Sequence, residues 1–320
     1  MNSVKRRHLS VFLLVAAFFN LWAQSEKNVP NKIEHNVWSQ GAAMPTARMG
    51  AGYGAVGGKI YVAGGVNSSG AFVTETDIYD TTTKTWSKGA PIPTPTWAGA
   101  SAVVKDVLYM FGGATSGEVI STTAQAYNTA TNKWSKVAAM PDSLNSVTAV
   151  TVGADIYVIG GYNGSHTTKV EKYTPASNAW KAEAALLNGK SEIQLGAFET
   201  TIVAAAGLEN SGYTNENEGY TTFANTWRPL PAALETGQGG CTATINGVVY
   251  IAGGNKTGVT LDTLQAYNVK KGTWAMLAKM PQALTLGGGV TVGGKLYCIG
   301  GANGPNRGNA TFSTVRIYQP

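Results

Sequence analysis

A tyrosine followed seven residues later by a tryptophan occurs five times in this 320-residue chain: Tyr79/Trp86, Tyr127/Trp134, Tyr173/Trp180, Tyr220/Trp227 and Tyr267/Trp274. A sixth tryptophan, Trp38, precedes the series and a sixth tyrosine, Tyr318, closes it. Successive tryptophans stand 48, 48, 46, 47 and 47 positions apart. So regular a period rules out a single irregular core and requires one supersecondary unit copied around the molecule.

Gly-Gly doublets keep step with the aromatic pairs. They close apolar segments at Lys59-Ile-Tyr-Val-Ala-Gly-Gly65, Val107-Leu-Tyr-Met-Phe-Gly-Gly113 and Asp155-Ile-Tyr-Val-Ile-Gly-Gly161. They return at Val248-Val-Tyr-Ile-Ala-Gly-Gly254 and Lys295-Leu-Tyr-Cys-Ile-Gly-Gly301, with a degenerate fourth copy ending Ala-Ala-Ala-Gly207.

Each unit reads as four short strands. The first is small and apolar, as in Gly50–Val56, and a two-residue hairpin signal such as Gly57-Gly58 or Asn246-Gly247 joins it to the second. The third ends at the tyrosine, and a polar turn leads to the tryptophan strand. Forty glycines and 13% charged residues suit such an all-β array. In a radial arrangement the first strands converge on an axis, where large side chains collide, while Tyr and Trp fill the gaps between sheets.

The first 23 residues read as a secretion signal: Lys5, Arg6 and Arg7, an apolar run from Val11 to Phe19, then Ala23 at the cleavage position. Residues 24–35 form a short linker, and 36–320 one repeat domain. The apolar run is too short to span a bilayer, so no membrane span is expected and the chain is placed in the periplasm or outside the cell. Without the signal, 21 basic residues face 18 acidic ones, a net +3 with no block of like charge, so no nucleic-acid partner is expected. Cys241 and Cys298 either pair or remain two small apolar residues in separate strands; the exacting geometry of a disulfide favours the second.

The doublets, the Tyr-to-Trp spacing and Met-Pro at 44–45, 140–141 and 280–281 together resemble the kelch family over residues 36–320. The resemblance implies an all-β six-bladed β-propeller with four-stranded antiparallel blades. The last repeat ends after three strands at Tyr318, and Trp38 sits in a strand with no partner. The N-terminal strand is therefore expected to join the last blade and close the ring, leaving no open edge.

Catalytic signals are sparse. Beyond the signal there are two histidines, His35 and His166, which excludes a multi-histidine metal site. Some kelch-like propellers are copper oxidases, but the histidines their site needs are absent from the blades. No cofactor is expected.

In the kelch resemblance the binding face is built by the loops after Gly-Gly and those leading into each first strand. Tyr162, Asn163, His166, Tyr213 and Arg307 lie in the first set, among Asn, Ser and Gly that are also ordinary turn formers. Three departures from the repeat stand out. Trp97 is a tryptophan out of register, where the other units carry Met49, Asn145, Ser191, Gln238 and Thr285. It either stacks on a ligand or packs under its own loop. Arg48, one register earlier, suits a carboxylate ligand. The fourth unit places Glu192 and Gln194 where others have small residues, with Lys190 close by. They are floor residues of a pocket, or drift in a degenerate copy.

Three functional readings follow. The first is a secreted, monomeric recognition module presenting a polar mouth to a glycan or protein. The second is a sugar mutarotase or epimerase, by analogy with exported kelch sialic-acid mutarotases, with Glu192 as acid–base and Arg48 holding a carboxylate. The third is a structural spacer of a surface assembly, which needs no pocket. An open cleft touching Arg48, Trp97 and Glu192 would favour a small ligand.

Overall fold

The computed structural model describes residues 35–320, so the expected secretion signal and nearly all of the expected linker lie outside the described residues. Asn36–Pro320 forms one unit. It contains six four-stranded antiparallel sheets, one per repeat, and two small two-stranded hairpins. Among the described residues no helix is long and apolar enough to cross a membrane.

Blade 1 shows the pattern. Its strands Gly52–Val56, Lys59–Ala63, Thr76–Asp80 and Thr85–Gly89 pair in sequence order from the axis outward. Gly57 and Gly58 adopt φ of 57° and 78°, the mirror-image turn that matches the twist of a two-residue hairpin. The innermost strands of the other blades are Ala100–Val104, Thr148–Val152, Gln194–Phe198, Cys241–Ile245 and Gly288–Val292. Neighbouring inner strands are tied by hydroxyls: Thr151 Oγ1 donates to Val103 O (2.8 Å) and Thr291 Oγ1 to Thr244 O (3.0 Å).

In every blade the tyrosine pairs directly with the tryptophan across the outer strands, with ring centroids 4.9–5.1 Å apart. Blade 6 makes the same pair from the two chain ends: Val37–Gly41 lies antiparallel to Val315–Gln319, with Trp38 opposite Tyr318. The ring is closed as the repeat implied.

Each indole N–H then crosses to the preceding blade. It donates to the carbonyl four residues beyond that blade's tryptophan, as Trp134 does to Ala90 (3.0 Å) and Trp86 to Ala42 (2.9 Å). Beside this bond lies a second bridge. The hydroxyls of Tyr127, Tyr173, Tyr220 and Tyr318 donate to Asn132, Asn178, Asn225 and Asn36. These asparagines accept in turn from the backbone N–H of Ala90, Ala138, Ala184 and Ala278. All four asparagines have positive φ, which Asn tolerates better than most residues.

Apolar side chains of facing sheets fill the wedges between blades. Phe111 of blade 2, for instance, meets Tyr173 and Trp180 of blade 3 at 5.3 and 5.1 Å. The wedge between blades 5 and 6 holds a disulfide, Cys241–Cys298, with Cα atoms 5.7 Å apart and both residues fully buried. This corrects the expectation of two unpaired cysteines. The inner strand of blade 5 faces the second strand of blade 6, so two registers 57 residues apart in sequence meet at bridging distance.

Blade 1 lacks the asparagine, carrying Lys84 at φ 58° in its place. Lys84→Asn should therefore give Tyr79 and the Ala42 N–H an acceptor and raise stability by about 1 kcal/mol. A higher urea midpoint at unchanged slope is the expected readout. Gly272→Asn is the control, because Pro231 opposite it has no N–H; a gain as large there would count against the bridge.

Candidate functional site

Three consecutive registers of each lead-in loop, the segment entering an inner strand, build the loop end of the axis. The first is Arg48, Thr96, Leu144, Lys190, Gly237 and Leu284. Their carbonyls accept from the second doublet glycine of the preceding blade at 2.8–3.0 Å, from Gly65 to Thr96 around to Gly301 to Arg48. The doublet is needed there because a Cβ on Gly65 would lie 2.6 Å from Met49 O. The degenerate copy keeps the backbone, with Ala206 and Gly207 at φ 53° and 122°.

The second register is Met49, Trp97, Asn145, Ser191, Gln238 and Thr285, each bridged to the residue after the doublet of its own blade. The third is Gly50, Ala98, Ser146, Glu192, Gly239 and Leu286, all with φ between 47° and 67°. Here backbone N–H groups donate to the carbonyl of the preceding blade: Ala98 to Gly50, Glu192 to Ser146, Gly239 to Glu192, Leu286 to Gly239 and Gly50 to Leu286. Among the described residues Ser146 makes no such bond to Ala98. The annulus is open between blades 2 and 3.

Within it lies a cavity of about 190 Å³, lined among others by Tyr53, Ser101, Glu192, Gln194, Thr242 and Leu286. A wider space of about 390 Å³ continues along the axis. Tyr53 and Leu195, the bulky members of their register, line both, with their side chains packed into the wedges between blades. Gln194 is buried, and its amide is fully satisfied when the nitrogen donates to Thr242 Oγ1 (2.6 Å) and Gly240 O (3.1 Å). The oxygen then accepts from the Gly239 and Gly240 N–H groups at 3.0 and 2.8 Å. Glu192 Oε1 meets Ser146 Oγ at 3.4 Å, whereas Oε2 is sealed from solvent without a partner. Burial pushes this carboxyl up to about 7, against a weak opposing hydrogen bond from Ser146. Glu192 and Gln194 thus both line the cavity.

Arg48 and Lys190 do not. Both are fully buried. The Arg48 guanidinium pairs with Asp77 and donates to Glu75 O (3.0 Å). Lys190 Nζ lies 2.6 Å from Glu218 Oε1. Their expected place at the mouth is corrected: each side chain turns away from the axis to meet a carboxylate on the third strand of its own blade. Sequence reasoning missed these partners, which belong to a row two residues before each tyrosine: Asp77, Gln125, Glu171, Glu218, Gln265 and Arg316. All six are buried. Five tie their own lead-in loop, as Gln125 does through both backbone groups of Thr94 (3.0 and 2.8 Å). The signal was a polar residue at one fixed offset in every repeat.

Trp97 is half-buried. Its ring packs against Met49, Val66, Phe72, Leu286 and Ala302 and does not line the cavity, so the packing alternative describes it. The remaining candidates lie in the crown of loops after the doublets. Tyr162 stacks on His166 with centroids 5.2 Å apart, and His166 Nδ1 lies 2.9 Å from Ser191 Oγ. Asn163 is exposed beside them. Crown loops are linked from blade to blade. The His166 N–H donates to Asn210 (3.2 Å), the Tyr213 hydroxyl to Asn255 (3.1 Å) and Thr260 to Asn303 O (2.7 Å). Arg307 donates to Gly70 O (2.7 Å), lies over Phe72 and pairs with Glu118. Among the described residues no hydrogen bond joins the crown of blade 2 to that of blade 3.

A family model described as the KLHDC2/KLHL20/DRC7 Kelch-repeats domain matches residues 29–204, more than half of the chain, and the Kelch motif matches 238–281. The chain belongs to the kelch-repeat family. Comparison of this kelch propeller with curated proteins finds no match. Among solved structures, "Structure of YjhT" aligns at 16% identity over 86% of this chain and 96% of that one, with a TM-score of 0.74. That likeness shows the fold of the kelch propeller.

Two outcomes follow for the kelch site. Arg48→Met strands Asp77 as a buried, unpaired charge and should cost about 3–5 kcal/mol by urea unfolding; the double variant with Asp77→Leu should recover most of it. Glu192 holds a proton up to about pH 7 in the folded chain, against an ordinary value of 4.5. Its contribution is therefore fully present below pH 4.5 and lost as pH rises through 7. Glu192→Gln should flatten that decline, a difference on the order of 3 kcal/mol at pH 8 that vanishes near pH 4. Thermal unfolding across pH 4–8 reads it.

Proposed function

We propose that this propeller is an exported recognition module that binds a glycan at the loop end of its axis. The observation that carries the reading is the axial cavity, polar at Glu192, Gln194 and Thr242 and roofed by an annulus with one open link. At about 190 Å³ it is below the usual range for a drug-sized ligand, roughly 300–1,000 Å³, so it admits a terminal ring rather than a whole oligosaccharide. The crown supplies the surrounding contacts, with Tyr162, Asn163 and His166 beside the open seam. Export rests on residues 1–23 and is supported by the disulfide, which suits an oxidising compartment. A spacer needs no such pocket.

The second reading, a sugar mutarotase or epimerase, has one observation in favour: a carboxyl titrating near neutrality suits a general acid–base. It loses its carboxylate anchor, because Arg48 is buried in a pair with Asp77.

A glycan array followed by calorimetry on the purified chain tests the first reading. Expected is a binder whose affinity falls at least tenfold in Gln194→Ala or Thr242→Val, with thermal unfolding confirming that the variants are folded. No binder, or binding indifferent to both substitutions, would overturn it. Anomeric equilibration followed by NMR, with and without protein, decides the second.

A further inference from the structure

Among the described residues Glu192 is the only charged side chain that lines the axial cavity. It occupies a left-handed backbone position, φ 49°, in a register where the other blades carry Gly, Ala, Ser or Leu. All six members of the register share that conformation, so Glu192 is set apart by its charge and not by its backbone. The carboxyl crosses toward blade 5, since a Cβ built on Gly239 would stand 2.9 Å from Glu192 Oε2 and 2.8 Å from Thr285 Oγ1.

Among the described residues no basic side chain pairs with it. The basic side chains two positions earlier in the lead-in loops, Arg48 and Lys190, are buried against Asp77 and Glu218. In the crown, Arg307 is paired with Glu118, and Lys256 lies 3.9 Å from Glu235. Tyr53 also lines the cavity, but its ring packs against Gly288 and its hydroxyl is sealed from solvent beside Gly300, where burial keeps it protonated. A buried carboxyl in such surroundings stays neutral or waits for a positive charge from outside. Oxygen acceptors stand close to it: Ser146 Oγ at 3.4 Å and, across Gly239, Thr285 Oγ1. The Ala98 carbonyl, next to Ser146 in the annulus, is the one left without its annular donor.

We infer that the cavity selects an amino sugar, its ammonium group held by the Glu192 carboxylate with neutral oxygen acceptors beside it. The inference rests on the reading of the cavity as a glycan site and deepens it. A ligand carboxylate is disfavoured, because it would set a second negative charge beside an unpaired one with no basic side chain to hold it. Sialic and uronic acids are thus the wrong sign for this mouth. Binding of the ammonium requires the ionised carboxylate, so affinity should rise from pH 5.5 to 7.5.

The experiment is calorimetry of the purified chain with D-glucosamine, D-glucose, N-acetyl-D-glucosamine and D-glucuronic acid. Expected is at least tenfold tighter binding of glucosamine than of the other three. That preference should be lost in Glu192→Gln and reduced several-fold in Ser146→Ala, which keeps the carboxyl should the first variant fold poorly. Equal binding of glucosamine and its N-acetyl form, a preference for glucuronate, or glucosamine binding unchanged in Glu192→Gln would overturn the inference. Sugars that bind without regard to the amine overturn it alone. If no sugar binds here or on the array, the glycan reading falls with it.

Discussion

Each blade tryptophan donates its indole N–H across a blade boundary, and the propeller depends on that bond being made six times. The indole stacks on the tyrosine of its own blade while its N–H satisfies a carbonyl of the blade before it. One side chain therefore fixes both the outer strand and the angle to the neighbour. The pair in blade 6 is assembled from Trp38 and Tyr318, so the chain ends are held by the same interaction as every other boundary. Blade 6 is thereby completed to four strands like the other five, leaving only the short edges that every blade has. The disulfide in the adjoining wedge between blades 5 and 6 adds a covalent tie close to this closure.

A ring held at its rim can tolerate an axis of small residues, and the polar groups distribute accordingly. The buried row two residues before each tyrosine clamps five lead-in loops, by ion pairs in blades 1 and 4, by amides in blades 2 and 5 and by Arg316 donating to Gln282 in blade 6. These pairs take charges out of water and are retained because each partner would be costly alone. Their effect is to hold the loops that shape the mouth. Against that background Glu192 stands out as the one charged side chain lining the axial cavity among the described residues, with one carboxylate oxygen sealed from solvent and without a partner.

Much of this was legible in the sequence. The Tyr-to-Trp spacing showed the blade count, the doublets marked the second strands, and the unpaired Trp38 and Tyr318 showed the closure. The register derived from the doublets also proved physical, since Met49, Trp97, Asn145, Ser191, Gln238 and Thr285 all make the same backbone bridge. Glu192 and Gln194 stood out because small residues were required there. The direction of Arg48 and Lys190 was not legible. A lead-in side chain can turn to the axis or to the third strand, and only the presence of Asp77 or Glu218 decides.

The sequence by itself determined what depends on local period: six four-stranded units, their order and the shared last blade. The units repeat contacts between near neighbours in the chain, so a motif is enough to specify them, and the shared last blade follows from the one unit that lacks its tryptophan strand. The tertiary structure decided what depends on the angle between blades. It brought Cys241 to Cys298, paired Arg48 with a carboxylate 29 residues away, moved Trp97 under its loops and left Glu192 alone at the axis. Those outcomes arise where faces of different sheets converge, and side-chain direction across such a convergence has no periodic signature in the chain.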